Sequence, residues 1–124
     1  MKRNTKQRDA IRQVFERRIH PLAPQEVLEE AQALSPGLGI ATVYRNLKAL
    51  VDDGWLVPVL VPGEPDRYER AGKRHHHHFR CRDCEGLFDV EGCVSGLEAM
   101  LPDGFQLEGH ELTLYGRCGG CQGE

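Results

Sequence analysis

Two Cys-x-x-Cys pairs constrain the fold of this 124-residue chain more than any other feature of its sequence. Cys81 and Cys84 form the first pair, and Cys118 and Cys121 form the second. Four thiolates from two such pairs make a closed, tetrahedral zinc site that is structural. Two unrelated pairs, or a dithiol redox centre, would share this spacing, but a redox pair is expected in a thioredoxin-like βαβ context that the sequence lacks. The spacing therefore predicts one structural Zn²⁺ held by both pairs.

The sequence is typical of a cytoplasmic protein. No apolar run approaches the roughly 18 residues that span a bilayer, and the charged N-terminal segment has no apolar core after it. We therefore expect no membrane association and a reducing environment, in which paired cysteines more often bind metals than form disulfides. Cys93 belongs to neither pair, and we predict that it is a small buried residue rather than a sensor thiol.

Four consecutive histidines, residues 75–78 in the stretch RHHHHFRCRDC, lead directly into the first cysteine pair. An expression tag would normally lie at a terminus and be longer. If the run is a strand, its first and third histidines face one way and its second and fourth face the other. Imidazole binds zinc, iron, manganese or nickel, and two carboxylates, Glu69 and Asp89, lie nearby in the sequence. The run predicts two further metal sites, with a solvated polyhistidine patch as the alternative.

Residues 1–73 have the pattern of three helices followed by a hairpin. The first helix is predicted from Thr5, as its cap, to Arg18, and the second begins at Pro24. A third helix in IATVYRNLKALVDDG ends at Gly54, and two short strands follow in WLVPVLV and RYER. The predicted buried faces of the three helices comprise Ala10, Ile11, Val14 and Phe15; Val27, Leu28, Ala31 and Leu34; and Ile40, Val43, Leu47, Leu50 and Val51. This order of elements predicts a winged helix-turn-helix.

The third helix would be the recognition helix of such a domain. Arg, Lys, Asn and Tyr are residue types that contact phosphates and base edges. Residues 1–74 carry 13 basic against 10 acidic side chains, whereas residues 75–124 carry 3 against 9. This asymmetry favours DNA binding by the first part, although a solvated helix face would look similar. The residues predicted to face DNA are Thr42, Tyr44, Arg45, Asn46 and Lys48.

Residues 74–124 have the pattern of a small sheet with one helix. LFDV predicts a strand, CVSGLEAML a helix with Val94, Leu97, Met100 and Leu101 on one stripe, and FQLEGHELTLYGRC a strand pair or one bulged strand. A unit of this size has little core, so we expect it to dimerise and to be stabilised by zinc. The predicted fold class is α+β: an N-terminal winged helix-turn-helix over 1–73, then a small α/β dimerisation domain with a four-cysteine zinc site over 74–124.

Four motifs, ATVYRNLKAL, HHHHFRCRDC, LYGRC and CGGC, together give the chain a specific resemblance. From about residue 5 to residue 121 it resembles the ferric-uptake-regulator family of bacterial metal-dependent repressors, which has zinc-uptake and peroxide-sensing branches. The resemblance implies a winged-helix domain, a hinge and a dimerisation domain. It also implies that Tyr44 and Arg45 are the base-reading pair.

The resemblance further implies three metal sites. The four paired cysteines match the structural zinc ligands. A sensing site beside the hinge maps onto Glu69, His76, His78 and Asp89, with His20 near the position of a fifth ligand. A third site maps onto His75, His77 and His110, with Glu98 as the nearest glutamate.

The expected function is that of a metal-responsive repressor. Metal-loaded homodimers would bind palindromic operator DNA and control metal-uptake or stress genes, and the metal-free protein would release it. The regulatory ion would be Zn²⁺, Fe²⁺ or Mn²⁺: by the resemblance, the histidine at position 77 favours the zinc-uptake branch, whereas the carboxylates of Glu69 and Asp89 favour iron or manganese. We expect no enzymatic activity, because the H-x-E and P-C-x-x-C strings of a zinc deaminase do not occur. The alternative is a structural zinc-ribbon interaction module without DNA binding.

Overall fold

The computed structural model describes residues 2–122, and the chain divides into two compact units. The first unit extends to Lys73, and the second begins at Arg74. No helix in the described part of the chain is both long and apolar enough to cross a membrane.

The first unit consists of three helices and a two-stranded antiparallel hairpin. Its elements are α1 (Lys2–Arg17), α2 (Pro24–Ala31), α3 (Ile40–Asp52), β1 (Leu56–Val59) and β2 (Arg67–Arg70). The hairpin is fixed to the helices by the loop after α1, because Leu22 and Tyr68 exchange two backbone hydrogen bonds of 2.9 Å. This is the element order of a winged helix-turn-helix.

The three helices bury one continuous apolar core. Its members come from the predicted stripes of all three helices, together with residues of the connecting segments: Ala10, Ile11, Val14, Phe15, Leu22, Val27, Ala31, Leu38, Val43, Leu47, Leu50 and Leu56. Trp55 closes the core at one end, where its ring packs edge-on against Phe15 and lies under the guanidinium of Arg70 at 4.2 Å. The core is large enough to hold α3 in a fixed orientation, which leaves the opposite face of that helix for other contacts.

Three predictions about the helices are wrong in detail. α1 begins at Lys2, so Thr5 lies inside the helix and is not its cap. α2 ends at Ala31, and Leu34 in the following turn is exposed rather than buried. Ile40, in the first turn of α3, is also exposed. α3 itself ends as expected, just before Gly54, whose φ of 81° is the left-handed conformation that glycine adopts most readily.

The second unit is a three-stranded sheet with strand order β4-β3-β5. Its elements are β3 (His77–Cys81), β4 (Leu87–Val90), β5 (Thr113–Gly116) and a short helix α4 (Gly119–Gln122). β3 pairs antiparallel with β4 and parallel with β5, so this strand, which begins with His77 and His78, is the central one. Among the described residues of this unit, those that are buried are His77, Cys81 and Leu87.

Two predicted elements of the second unit are shorter than expected. The helix predicted in CVSGLEAML is one 3-10 turn, Leu97–Met100, and Val94 and Met100 of its supposed stripe are exposed. Gly96 precedes the turn with a φ of 80° and Pro102 follows it, so an α-helix cannot extend in either direction. Of FQLEGHELTLYGRC, only Thr113–Gly116 is a strand.

Candidate metal centres and recognition helix

The four paired cysteines converge on one point of the second unit. Cys81 is the last residue of β3, and Cys84 lies in the turn that follows. Cys118 directly precedes α4, and Cys121 lies within it. Cys81 Sγ lies 3.7 Å from Cys121 Sγ, and Cys84 Sγ lies 3.8 Å from Cys118 Sγ. Zn–S bonds of about 2.3 Å place the sulfurs of a tetrahedron about 3.8 Å apart. The cysteine cluster therefore has the dimensions of a four-thiolate zinc site.

Backbone amides prepare the cysteine cluster for a cation. The N–H groups of Cys84 and Cys118 donate to Cys81 Sγ at 3.4 and 3.3 Å, and these bonds lower the pKa of the Cys81 thiol to about 6. The neighbouring sulfurs, Cys118 first and then Cys81, raise the pKa of Cys121 to about 12. The close sulfurs therefore oppose ionisation of all four thiols, and the charge of a bound Zn²⁺ would offset that effect.

A surface ion pair joins the two cysteine segments. Arg117 Nε donates to Asp83 Oδ2 at 2.6 Å, and a second guanidinium nitrogen donates to the carbonyl oxygen of Cys121 at 3.1 Å. The hydrogen bond to Asp83 raises the pKa of Arg117 above its usual value. Because the pair is largely exposed, it contributes little to stability by itself, but it aligns the two segments that carry the sulfurs.

The four consecutive histidines separate into two pairs, as predicted, although β3 begins only at His77 and the first two histidines precede the strand. The rings of His76 and His78 lie 4.8 Å apart, and those of His75 and His77 lie 4.6 Å apart. His78 is paired with Asp89 across the β3–β4 ladder. The two pairs therefore belong to two different clusters of possible ligands.

The first of these clusters consists of His76, His78 and Asp89. Asp89 Oδ1 lies 3.9 Å from His76 Nε2 and 3.7 Å from His78 Nε2, and all three side chains are half-buried. Two imidazoles and a carboxylate in this arrangement are suitable ligands for Zn²⁺, Fe²⁺ or Mn²⁺.

The remaining predicted ligands of the sensing site lie in the first unit. Glu69 is buried on β2, where its Oε1 accepts from Lys73 Nζ at 3.0 Å. His20 is half-buried in the segment between α1 and α2. Metal binding by Glu69 and His20 stays a prediction.

The second histidine cluster contains Cys93, for which the sequence predicts no role in metal binding. Cys93 Sγ lies 3.4 Å from His75 Nε2, 3.5 Å from His77 Nε2 and 3.2 Å from His110 Nε2. The prediction that Cys93 is buried is wrong, because the residue is exposed. Glu98 lies in the 3-10 turn, is exposed and is not a member of the cluster. One feature of the sequence does point to this cluster: Cys93 is a fifth cysteine, outside both pairs, and it follows soon after the four consecutive histidines.

His77 is the buried member of this cluster. Burial lowers its pKa, and the neighbouring imidazoles of His75 and His110 lower it further. The neutral form is the one with a nitrogen lone pair available for a metal. His77 is therefore kept in its metal-binding form.

The exposed face of α3 carries most of the residues predicted to meet DNA. Tyr44 is 53 % exposed, Arg45 and Lys48 are exposed, and Thr42 is half-buried. Arg45 donates to Thr42 Oγ1 at 3.0 Å, and Lys48 pairs with Asp52 at 3.3 Å. These contacts are local and exposed, so the cationic groups can exchange them for phosphates.

Asn46 is not on that exposed face, contrary to prediction. Its side chain is 8 % exposed; its Oδ1 accepts from Arg8 Nε at 2.9 Å and its Nδ2 donates to the carbonyl oxygen of Thr42 at 2.9 Å. The contact with α1 explains the difference, because Asn46 lies at the edge of the buried face that carries Val43 and Leu47, where its side chain meets Arg8. Asn46 therefore ties α3 to α1.

A sequence profile of the Ferric uptake regulator family matches residues 2–115. The chain belongs to this family. Its members are metal-responsive transcriptional regulators rather than enzymes. The chain is 31 % identical over 125 residues to a ferric uptake regulation protein of Campylobacter jejuni, covering 97 % of this chain and 80 % of the relative. It is 28 % identical over 123 residues to a zinc uptake regulation protein of Mycobacterium tuberculosis, covering 97 % and 95 %.

Solved structures that resemble this chain likewise include both iron and zinc regulators. A ferric uptake regulator from Francisella tularensis, solved with iron, has a TM-score of 0.72 and 27 % identity, covering 94 % of this chain and 91 % of that chain. A zinc uptake regulator from Mycobacterium tuberculosis has a TM-score of 0.54 and 28 % identity, covering 97 % and 95 %. Regulators of both iron and zinc are thus similar to this chain, and the regulatory metal has to be argued from its own ligands.

Proposed function

We propose that this chain is a metal-dependent repressor that binds a palindromic operator as a homodimer in the cytoplasm. Metal loading of a sensing site would switch DNA binding on, and the controlled genes would serve metal uptake or stress responses. One observation carries the proposal: the chain combines a winged helix-turn-helix with clusters of possible metal ligands in the following unit. In the winged helix-turn-helix, Tyr44, Arg45 and Lys48 are exposed on α3.

DNA recognition is proposed for the exposed face of α3. In helix-turn-helix proteins the N-terminal part of the recognition helix reaches base edges in the major groove. Tyr44 and Arg45 lie in the first two turns of α3, so they are proposed to read bases, and Lys48 is proposed to contact phosphate. Asn46 has no part in this proposal.

Structural zinc is proposed for the four paired cysteines, and the regulatory ion for His76, His78 and Asp89. Following the family resemblance, we propose that Glu69 of the first unit completes the regulatory site and that His20 is a further ligand. An ion held by residues of both units would favour one arrangement of the DNA-binding units, and only its differential affinity for that arrangement can shift the population.

The surface of the second unit supports dimerisation. Met100 is 77 % exposed and Phe105 is 67 % exposed, and Leu114 and Tyr115 are exposed on β5, an edge strand of the sheet. Exposed edge strands and large apolar side chains normally meet a partner. We propose that a second copy of the chain covers this surface.

One experiment tests regulation and recognition together. Metal-loaded protein would select its preferred duplex from a random-sequence pool, with Zn²⁺, Fe²⁺ and Mn²⁺ in separate arms. The proposal predicts a palindromic consensus, and the metal that produces it identifies the effector. A pool that stays random in every arm would contradict DNA recognition and favour the structural zinc-ribbon module, which would hold one metal per chain.

A paired variant then locates the sensing site. His76→Ala/His78→Ala should stay folded, retain the zinc of the paired cysteines and lose metal-dependent binding to the selected duplex. His75→Ala/His77→Ala is the matched comparison, because it removes two histidines from the same segment. If only the second variant loses the metal response, the sensing site is at His75, His77 and His110.

A further inference from the structure

Cys93 gives the second histidine cluster a donor set unlike that of the proposed sensing site. Its sulfur lies close to the Nε2 atoms of His75, His77 and His110. These four residues come from three different segments of the chain. We propose that Cys93 is a metal ligand and that these four side chains form a tetrahedral three-nitrogen, one-sulfur site selective for zinc. The family resemblance already implies a metal at His75, His77 and His110; the new elements are Cys93 as the fourth ligand and the zinc selectivity that its sulfur confers, and neither requires DNA binding.

The distances within the cluster fit an ion of this type. Zn–N bonds of about 2.0–2.1 Å and a Zn–S bond of about 2.3 Å give tetrahedral N···N edges of about 3.4 Å and N···S edges of about 3.6 Å. The N···N distances are 3.1 Å from His75 to His77 and 3.2 Å from His77 to His110. The three N···S distances from Cys93 lie between 3.2 and 3.5 Å. Ligand shifts of a few tenths of an ångström would therefore seat a zinc ion.

The strand pairing explains why Cys93 reaches this point. His77 is opposite Val90 at the end of the β3–β4 ladder, and Cys93 follows Val90 by three residues. His110 comes from the segment before β5, on the other side of β3. The central strand thus supplies the buried His77, and segments adjoining both neighbouring strands bring ligands to it.

The sulfur determines which metal the cluster would select. Thiolate favours zinc, whereas carboxylate and water ligands suit manganese, and no carboxylate belongs to this cluster among the described residues. Two sites with different donor sets would therefore share the segment of four histidines: a thiolate-containing site for zinc, and the His76, His78 and Asp89 site that iron or manganese can also occupy. This difference would let the chain hold two kinds of divalent ion at once.

Cobalt substitution tests the proposal directly, because Co²⁺ occupies zinc sites and a thiolate ligand gives an intense near-ultraviolet charge-transfer band. Full-length protein whose paired cysteines retain zinc, verified by metal analysis, would be titrated with Co²⁺. The wild type should develop the band at one equivalent. Cys93→Ala should lack it and bind that ion more weakly by over about tenfold, since even loss of an outer-shell partner costs 10–100-fold.

Cys93→Glu is the matched variant, because it exchanges sulfur for oxygen at an exposed position. It should bind Co²⁺ without the charge-transfer band, and its preference for Zn²⁺ over Mn²⁺ should fall relative to the wild type. A wild type without the band, or a Cys93→Ala variant with the band and unchanged affinity, would overturn the proposal. The readouts do not involve DNA, so their failure is distinguishable from failure of the proposed repressor function.

Discussion

Replacing Cys118 with serine should unfold the second unit and leave the first unit folded. Apart from the buried His77, the described part of the second unit buries only Cys81 and Leu87, and a buried leucine contributes about 1.5–3 kcal/mol. A structural Zn²⁺ contributes about 10–16 kcal/mol in small zinc domains. Total domain stabilities are about 5–15 kcal/mol, so losing this ion exceeds what the remaining core can supply.

The first unit provides the internal reference for this experiment. Its core includes twelve buried side chains and contains no cysteine, so Cys118→Ser should not affect it. Hydrogen exchange resolved by mass spectrometry should show lost protection in β3, β4 and β5 and preserved protection in α1, α2 and α3. Size-exclusion chromatography should show a monomer, because the proposed dimer surface belongs to the second unit.

Cys93→Ser is the matched control for the loss of one thiol. It leaves the cluster of four paired cysteines intact, so it should retain their zinc and the fold of the second unit, although it removes the ligand proposed for the other metal site. If Cys118→Ser retains its zinc against a chelator and β3 stays protected from hydrogen exchange, the zinc of the paired cysteines is not the main source of stability in the second unit.

Four further substitutions test the first unit. Leu47→Ala should cost about 2–5 kcal/mol in chemical denaturation, because Leu47 is fully buried in the core; an unchanged midpoint would contradict the packing. Asn46→Ala should cost about 1–3 kcal/mol, since the Arg8 guanidinium loses its partner, while discrimination between DNA sequences stays as in the wild type; reduced discrimination would restore a base-reading role. Tyr44→Ala should lower the free-energy difference between binding to selected and to scrambled duplexes by about 1–3 kcal/mol. Lys48→Ala should weaken binding to both duplexes alike and reduce the slope of log affinity against log salt concentration by about one per half-site. Fluorescence anisotropy across a salt series separates these patterns, and the reverse pattern would contradict the proposed roles of the two residues in DNA binding.

The sequence predicts the elements that depend on regular periodicity. The apolar stripe from Ala10 to Phe15 is buried, β2 and β4 lie where RYER and LFDV place them, and the four histidines alternate between two clusters. These features are local, because each depends on spacing within a short stretch of the chain, although His75 and His76 precede β3 rather than belong to it.

The errors arise where tertiary structure or backbone conformation decides the outcome. Asn46 has a polar side chain but faces Arg8 across the α1–α3 contact, which helical spacing without the partner helix does not reveal. Gly96 adopts a left-handed conformation that stops the predicted helix. Cys93 meets its histidines through strand pairing at long sequence separation, so neither its hydrophobicity nor its lack of a paired cysteine indicated its neighbours.

Metal binding and DNA binding are proposed to be coupled, and the ratio of the DNA affinities with and without the regulatory metal measures this coupling most directly. Binding of the wild type to its selected duplex would be measured at one ionic strength, with the free regulatory metal buffered either to saturation or to depletion, and with the zinc of the paired cysteines retained. Allosteric coupling of about 1–3 kcal/mol corresponds to 5–150-fold in affinity. Metal saturation should tighten specific binding by a factor in this range; equal affinities in the two buffers would contradict metal-dependent repression.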